Sequence, residues 1–467
     1  MQIYQSGTYT DLYQLTMAQA YYRSGDGNES AIFDYFFRKL PFGGGYAVFA
    51  GLEVLLEVLE ELRFDDSDIA YLEQQGFEKA FLAYLQDFRF SGKIYSAREG
   101  DVVFPVRPVL TVEAPLIEAQ VIETLLLNIL SYQTLIATKA SRMRQTAGER
   151  MLIDFGMRRA HGPAAHHASR AAFIGGFNAT SNVLSGKEFG IPVSGTMAHS
   201  FVQSFDNELT AFREYAATWP DDCILLVDTY DTLKSGVPNA ITVAKEMAAK
   251  GKQLKGIRLD SGDLAYLSKK ARQMLDADGF EQVKIAVSNQ LDEHLIRSLL
   301  DQDAPIDVFG VGTSLVTGQP DAALDGVYKL AFAHGQPRIK LSENTSKITL
   351  PHKKQVHRVY DKGNGHAEAD VVTMWEEQDI CEMHHPFDIH KKMSFENCTS
   401  EPLLQLVMED GRRTKSPSPL EEIAAYARER ISTLADEYRR FENPHIYKVG
   451  LSNRLNSERE ELIRQHG

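Results

Sequence analysis

A chain of 467 residues is too long for one hydrophobic core and should divide into two or three domains, and its 43% hydrophobic and 10% aromatic content excludes disorder as the default. A formal net charge of −14 excludes nucleic acid as the main partner, because phosphate-backbone binding needs a basic footprint; an anionic ligand must meet a local cluster of arginines and lysines. There is no apolar run of membrane-spanning length and no signal-peptide pattern over residues 1–10, and Cys223, Cys381 and Cys398 are too scattered for a disulfide framework or a four-cysteine zinc site, so the expectation is a soluble, cytoplasmic protein with reduced thiols.

Residues 1–149 read as an N-terminal α+β section with linking helices. Thr10-Asp11-Leu12-Tyr13-Gln14-Leu15 opens a helical pattern, residues 31–37 alternate as a strand, and Pro41-Phe42-Gly43-Gly44-Gly45 turns the chain. Residues 93–115 look like β-structure with turns at 99–101. The spacing of Val121, Leu125, Ile129 and Ile136 predicts one or two buried helices over 115–148.

Residues 150–330 repeat a strand-then-helix rhythm. Short apolar runs at 151–153, 190–193, 224–227, 256–259, 283–287 and 306–309 are each followed by a polar residue or glycine: Asp154, Ser194, Asp228, Asp260, Ser288-Asn289 and Gly310. Their spacing brackets the ~31 residues per unit of a (β/α)8 barrel. In a barrel the C-terminal strand ends share one rim, where the active site forms, whereas an open doubly wound sheet places a ligand only at its switch point. Six decorated strand ends favour the barrel.

Residues 331–467 return to mixed structure. The stretch 340–358 is basic and strand-like, and Ser418-Pro419-Leu420-Glu421 predicts a capping box with proline at the first helical position. The helix that follows carries Leu420, Ile423, Ala427, Ile431, Leu434, Tyr438 and Phe441 on one packing face. The expected fold is α/β: an irregular (β/α) barrel of TIM type at 150–330, with an α+β sandwich domain built from the N-terminal section 1–149 and the C-terminal section 331–467.

Several of these segments carry chemistry. Phe309-Gly310-Val311-Gly312-Thr313-Ser314 supplies a glycine turn after a strand, and backbone N–H groups in such a turn suit phosphate. In Arg258-Leu259-Asp260-Ser261-Gly262-Asp263, alternation puts Arg258 and Asp260 on one side of the strand end. A cation beside an acceptor suits a phosphorylated sugar; a rim ion pair without function is the alternative. His199 follows Gly195 and Thr196, which allow close backbone approach. An imidazole there serves as nucleophile or acid/base, and a hydrogen-bonded core histidine is the alternative. Phe155, followed by Arg158 and Arg159, is placed to stack on a flat aromatic acid while a guanidinium meets the carboxylate. Asp228 and Asp231 flank Thr229-Tyr230; they orient ribose hydroxyls or a magnesium hydrate, or else Asp231 caps a helix. His161, His166 and His167 fall in a glycine-proline loop where neighbours do not converge on one metal. Cys381, His384, His385 and His390 have ligand-capable types without the spacing of a structural zinc site.

Read together, these motifs carry a resemblance. Thr10-Asp11-Leu12-Tyr13, Phe37-Arg38-Lys39 with Pro41-Phe42-Gly43-Gly44-Gly45, Phe155-Gly156-Met157-Arg158-Arg159, Gly175-Gly176-Phe177-Asn178-Ala179-Thr180-Ser181-Asn182, Gly195-Thr196-Met197-Ala198-His199, Arg258-Leu259-Asp260-Ser261-Gly262 and Asn443-Pro444-His445 occur in order. The chain resembles nicotinate phosphoribosyltransferase, of the type II phosphoribosyltransferases, over nearly its whole length. The resemblance implies that nicotinate, phosphoribosyl pyrophosphate and ATP become nicotinate mononucleotide, with pyrophosphate, ADP and phosphate released and Mg2+ required. It implies phosphorylation of His199 by ATP. Phe155 and Tyr13, the latter from the partner subunit of at least a homodimer, sandwich the pyridine ring, and Arg158 faces its carboxylate. Arg258 and Asp260 bind the ribose phosphate moiety, Gly310, Gly312 and Thr313 hold the 5′-phosphate, and Arg38 and Lys39 receive phosphate groups. Thr196 and Asp228 join the substrate-binding set.

Substrate choice turns on one position. Relatives that use nicotinamide place an acidic residue where Ser181 stands. An acid there would repel the nicotinate carboxylate by several kcal/mol, so the neutral Ser181 with Arg158 favours nicotinate. The chain departs from the family pattern at residues 160–167 and at Pro351-His352, where proline-glycine is usual. Turnover of nicotinamide or quinolinate is the alternative activity. Outside this class stand a metal-dependent barrel lyase, which needs converging carboxylates and histidines on the rim, and a nucleotide-binding regulator without turnover, which would lose His199 or Asp260.

Overall fold

The computed structural model describes residues 2–344, 347–388 and 390–466. Residues 345 and 346, inside the basic stretch predicted as strand-like over 340–358, lie outside the described residues; the strand that forms there is Lys354–Asp361. The chain divides into two compact units, residues 1–138 with 323–467, and residues 139–322. The helix Glu123–Ala147 contains the boundary, and a separate short helix, Leu116–Val121, precedes it.

The first unit holds two larger sheets. One has seven strands in the order Gln336–Pro337, Gly326–Ala333, Ser30–Phe37, Leu110–Pro115, Lys93–Ser96, Gln405–Glu409 and Arg412–Arg413, every pair antiparallel. The other has six strands centred on Lys354–Asp361 and Ala367–Met374. The alternation expected over residues 31–37 does not appear in the strand Ser30–Phe37, where positions 31 to 35 are all buried. It lies inside its sheet, and its one inward acid, Asp34, is satisfied by Lys354 Nζ at 2.8 Å and Thr111 Oγ1 at 2.7 Å.

A charge network is buried in this unit. Arg358 meets Asp101 at 2.8 Å and donates to both oxygens of Asp370, while Arg107 Nε sits 2.6 Å from Asp370 and Arg430 Nε donates to Asp101. All five side chains are essentially inaccessible. The three guanidiniums exceed the two aspartates by one, and Arg430 Nη2 also meets Glu401 at 2.6 Å, so every charge has an opposite partner, the condition under which buried ions are tolerated.

Two expectations for the C-terminal section need correction. Pro419 is the residue before the helix, not its first residue, and no side chain caps Leu420–Ser432. The apolar stripe also runs past the helix: Leu434 and Tyr438 are buried, but the helix ends at Ser432 and a separate short helix, Asp436–Arg439, follows. Spacing at 3.6 residues persists across a break when both pieces pack on one core, so it does not locate the break.

The second unit is a six-stranded parallel sheet with connecting helices. Its order is Ala179–Thr180, Met151–Asp154, Val308–Val311, Lys284–Ser288, Gly256–Leu259 and Ile224–Leu226. Each strand neighbours the next in the chain except Ala179–Thr180 and Ile224–Leu226, which are the two edges, and the last strand, Val308–Val311, pairs with the first, Met151–Asp154. Among the described residues no ladder joins Ala179–Thr180 to Ile224–Leu226, so the recorded sheet is open there. The strand expected at 190–193 reduces to one parallel bridge, Val193 to Thr180. Gly190 is the left-handed cap of the helix Val183–Phe189, and Pro192 has no N–H to donate, so that apolar run cannot form a ladder. The strand in its place, Ala179–Thr180, is too short to leave a periodic signal.

His166 and His167 also differ from expectation. They lie not in a loop but in the buried helix Pro163–Ile174, which starts with proline at its first position. His166 Nδ1 is 2.9 Å from Ser185 Oγ and its Nε2 2.7 Å from Glu188.

Candidate active site

The C-terminal ends of the parallel strands carry the polar residues that the sequence decorates. Arg258, one residue before the end of Gly256–Leu259, is the hub. Its Nη2 donates to Asp260 Oδ1 at 3.0 Å, its Nε to Ser288 Oγ at 2.9 Å and its Nη1 to Thr196 Oγ1 at 2.9 Å. Ser288 Oγ donates in turn to Asp260 Oδ1, closing a three-residue ring. The guanidinium, mostly covered, lies 5.4 Å from the centroid of the Phe155 ring. Three acceptors and an aromatic face leave it one orientation.

Asp228 organises the next turn. Its Oδ2 accepts from Asp260 N at 2.8 Å and Ser261 Oγ at 2.6 Å, while Oδ1 is buried with no hydrogen-bond partner among the described residues. Asp231 serves a different purpose: it accepts from Leu233 N and Lys234 N and caps the π-helical turn Thr232–Gly236. Of the two aspartates, only Asp228 reaches the site.

His199 is the first residue of the short helix His199–Gln203. Its Nδ1 lies 3.1 Å from Thr229 Oγ1 and its Nε2 3.8 Å from Asp260 Oδ2, with 40% of the side chain exposed. It is therefore not a core histidine: the ring is oriented by oxygens on both sides and is open to solvent.

Phe155 follows Met151–Asp154 and lies against Gly310 of the neighbouring strand; a β-carbon on Gly310 would stand 2.5 Å from Phe155 Cδ2. Gly312 approaches the Phe155 carbonyl and precedes the short helix Thr313–Val316. Arg158 is exposed on the turn after Phe155, and Ser181 is half-buried with its N–H donated to the Asp154 carbonyl at 2.8 Å. Asp260, Arg258, Thr196 and Asp228 thus form one hydrogen-bonded constellation, His199 faces it with Nε2 3.8 Å from Asp260, and Phe155 joins it through Arg258.

Three expected residues belong to the first unit. Tyr13 is half exposed on the helix Leu12–Ser24. Arg38 lines a small cavity of about 70 Å³ with Asp34 and Lys354, and its Nε is buried with no hydrogen-bond partner among the described residues. Lys39 is exposed, 3.7 Å from Asp325. In the same unit His384 bonds Asn453, and His385 Nδ1 accepts from Phe387 N and Asp388 N. No group of three or more His, Cys, Asp or Glu residues disposed to hold a metal ion occurs among the described residues, and the three cysteines are unpaired.

Sequence reasoning marks Asp154 and Ser288 as polar strand ends and quotes Thr229 and Ser261 within motifs, but gives none of the four a role at the site. Asp154 and Ser288 end their strands, and Ser261 and Thr229 stand two and three residues past theirs; that position was the available signal. What could not be read was that their hydrogen bonds tie separate strands together.

Comparison with known proteins places these features. Three family models match in sequence: the nicotinate phosphoribosyltransferase N-terminal domain over residues 8–131, the nicotinate phosphoribosyltransferase family over residues 151–364, and the nicotinate phosphoribosyltransferase C-terminal domain over residues 353–459. The chain is 47% identical over 454 residues to a nicotinate phosphoribosyltransferase of Bacillus subtilis, spanning 95% of this chain and 92% of that protein. It is 35% identical over 510 residues to the nicotinate phosphoribosyltransferase of Homo sapiens, spanning 96% and 94%. The crystal structure of human nicotinic acid phosphoribosyltransferase superposes with a TM-score of 0.88 at 32% identity, covering 97% of this chain and 99% of that one. A nicotinate-nucleotide pyrophosphorylase from Pyrococcus furiosus superposes with a TM-score of 0.72 at 25% identity, covering 92% and 96%.

Proposed function

The chain belongs to the nicotinate phosphoribosyltransferase family, and from that premise we propose that it joins nicotinate to phosphoribosyl pyrophosphate, forming nicotinate mononucleotide for NAD biosynthesis in the cytoplasm, with ATP hydrolysis coupled through a phosphohistidine at His199. The observation that carries this reading is the hydrogen-bonded ring Arg258–Asp260–Ser288 at the ends of the parallel strands, with His199, held by Thr229, facing Asp260 at 3.8 Å.

Displacement at the anomeric carbon builds positive charge on the ribose and releases pyrophosphate, so the site must hold sugar and ring in line and receive an anion. Arg258, aligned by Asp260, Ser288 and Thr196, presents a fixed cation to the phosphorylated sugar. Gly310, Gly312 and Thr313 bring backbone close to its 5′-phosphate. Phe155 supplies a flat apolar face for the pyridine ring, Arg158 meets the nicotinate carboxylate, and the neutral Ser181 leaves that carboxylate unopposed, which favours nicotinate over nicotinamide. His199, held by Thr229 on one side and facing Asp260 on the other, takes the γ-phosphoryl group: the bond to ADP breaks, a bond to one imidazole nitrogen forms, and water later releases phosphate.

The residues fit a magnesium requirement. Asp228 Oδ1 is a buried oxygen without a partner, Asp260 is partly exposed, and one or two carboxylates with substrate oxygens are the usual holders of that ion. When bound, the ion supplies charge neutralisation to the departing pyrophosphate. Completion of the site by Tyr13, Arg38 and Lys39 from a second copy implies at least a homodimer. The cyclic strand order of the second unit supports an irregular barrel with this constellation on its C-terminal rim.

The test is product formation by the purified chain with phosphoribosyl pyrophosphate and magnesium, offered nicotinate, nicotinamide or quinolinate, each with and without ATP. Nicotinate mononucleotide formed faster with ATP is expected. Preference for either other substrate overturns the ring assignment, and nucleotide binding without turnover overturns the activity.

A further inference from the structure

One buried acid beside the site is not used by the chemistry above. Asp154 ends the strand Met151–Asp154 and is 1% exposed. Its Oδ1 accepts from Gly156 N at 2.8 Å, inside the loop that carries Phe155 and Arg158. Its Oδ2 accepts from Thr180 Oγ1 at 2.8 Å and from Ser169 Oγ at 2.7 Å, and its carbonyl accepts from Ser181 N at 2.8 Å. Thr180 Oγ1 also accepts from Asn182 N at 3.0 Å, and Asn182 caps the helix Val183–Phe189. One residue thus joins both loops assigned to the pyridine ring. The fit is tight: a β-carbon on Gly156 would collide with Val316 Cγ1.

We propose that Asp154 is the positioning residue of the pyridine subsite, fixing the Phe155–Arg158 loop against the Thr180–Asn182 loop so that the ring-stacking face, the carboxylate-binding guanidinium and Ser181 stand in one geometry. The proposal rests on the assignment of Phe155, Arg158 and Ser181 to the ring. Asp154 touches no substrate; it acts by removing the freedom of groups that do. Burial pushes its carboxyl above the usual range, against the pull of Ser169, Gly156 and Thr180, and an apolar residue would be easier to bury at this position. A position that only filled space would not need a carboxylate.

Two substitutions separate positioning from plain stability, because each removes one hydroxyl donor from the same buried oxygen. Thr180→Val cuts the link to the ring loop, whereas Ser169→Ala cuts the link to the helix Pro163–Ile174. A misplacement near 1 Å costs up to about 100-fold, so Thr180→Val should raise KM for nicotinate about tenfold with KM for phosphoribosyl pyrophosphate unchanged. Ser169→Ala should leave both within about twofold. Asp154→Asn, which keeps an acceptor for Gly156 N, should outperform Asp154→Ala in nicotinate KM. An unchanged nicotinate KM in Thr180→Val, or equal increases in both hydroxyl variants, overturns the proposal. Arg158→Ala in the same assay tests the underlying assignment. If it leaves nicotinate KM unchanged, the ring assignment falls and the positioning role with it; if it raises KM while Thr180→Val does not, only the positioning role falls.

Discussion

Gly310→Ala probes the site through a single methyl group. An alanine β-carbon would sit 2.5 Å from Phe155 Cδ2, whereas ordinary contact begins near 3.4 Å, so the ring must retreat by about 1 Å or the strand must yield. The strand is poorly able to yield: Gly310 is buried and paired between Lys284–Ser288 and Met151–Asp154. The ring therefore moves, and with it the face proposed to stack on nicotinate. Overpacking of this kind costs about 1–3 kcal/mol of stability, and ring displacement near 1 Å lowers kcat/KM for nicotinate by about 10- to 100-fold. The assay is steady-state kinetics with nicotinate and phosphoribosyl pyrophosphate varied in turn, beside a thermal melt. Because Gly310 also lies on the segment assigned to the 5′-phosphate, the prediction is a larger change for nicotinate than for phosphoribosyl pyrophosphate. Adding Phe155→Leu should recover the melting temperature without recovering nicotinate affinity. Parent-like kinetics and an unchanged melt in Gly310→Ala would refute the reasoning.

Other parts of the molecule make equally definite predictions. Arg358→Met leaves Asp101 with only Arg430 and Asp370 with only Arg107 as its arginine partner, and strips hydrogen bonds from both buried carboxylates; it should cost about 1–3 kcal/mol in chemical denaturation, more than Arg213→Met at an exposed pair with Glu246. Ser288→Ala removes the hydroxyl shared by Arg258 and Asp260 and should lower kcat/KM for phosphoribosyl pyrophosphate about tenfold with little change in melting temperature. Burial pushes the His167 imidazole down to about 3, aided by His166 and Arg170, so the folded chain keeps it neutral while the unfolded chain protonates near 6.5. The stability this contributes is present above pH 6.5 and is lost as pH falls toward 3, with a slope of up to about 1.4 kcal/mol per pH unit. His167→Gln should flatten the fall in melting temperature between about pH 7 and 5; an unchanged slope would contradict the assignment.

What the sequence disclosed and what it hid follow physical lines. Strand ends were legible because a polar residue interrupting a short apolar run is a local signal, and Arg258 with Asp260 could be placed on one side by alternation alone. The strand Ala179–Thr180 was not legible, since two residues have no period, and the apolar run at 190–193 stood in for it. The pairing of Ser30–Phe37 with Gly326–Ala333 joins segments far apart in the chain, which no local pattern reveals. Nor does composition separate Arg107, Asp101, Asp370 and Arg358 from ordinary surface charges; only the fold brings them together in the core. His166 and His167 looked like loop residues because glycine and proline precede them, although Pro163 there begins a helix rather than preventing one. Thr229 and Ser288 needed the third dimension, because their partners lie 30 and 28 residues away in the chain.

The central claim is that His199 carries a phosphoryl group from ATP and that its turnover is tied to ribosyl transfer. The direct measurement gives the purified chain γ-labelled ATP and magnesium, separates the protein, and follows the label after nicotinate and phosphoribosyl pyrophosphate are added together. Acid-labile, base-stable label on the parent and none on His199→Ala, released as phosphate in step with nicotinate mononucleotide, is the predicted result. Label retained in His199→Ala, or nicotinate mononucleotide made at the same ATP-stimulated rate by both proteins, would contradict it.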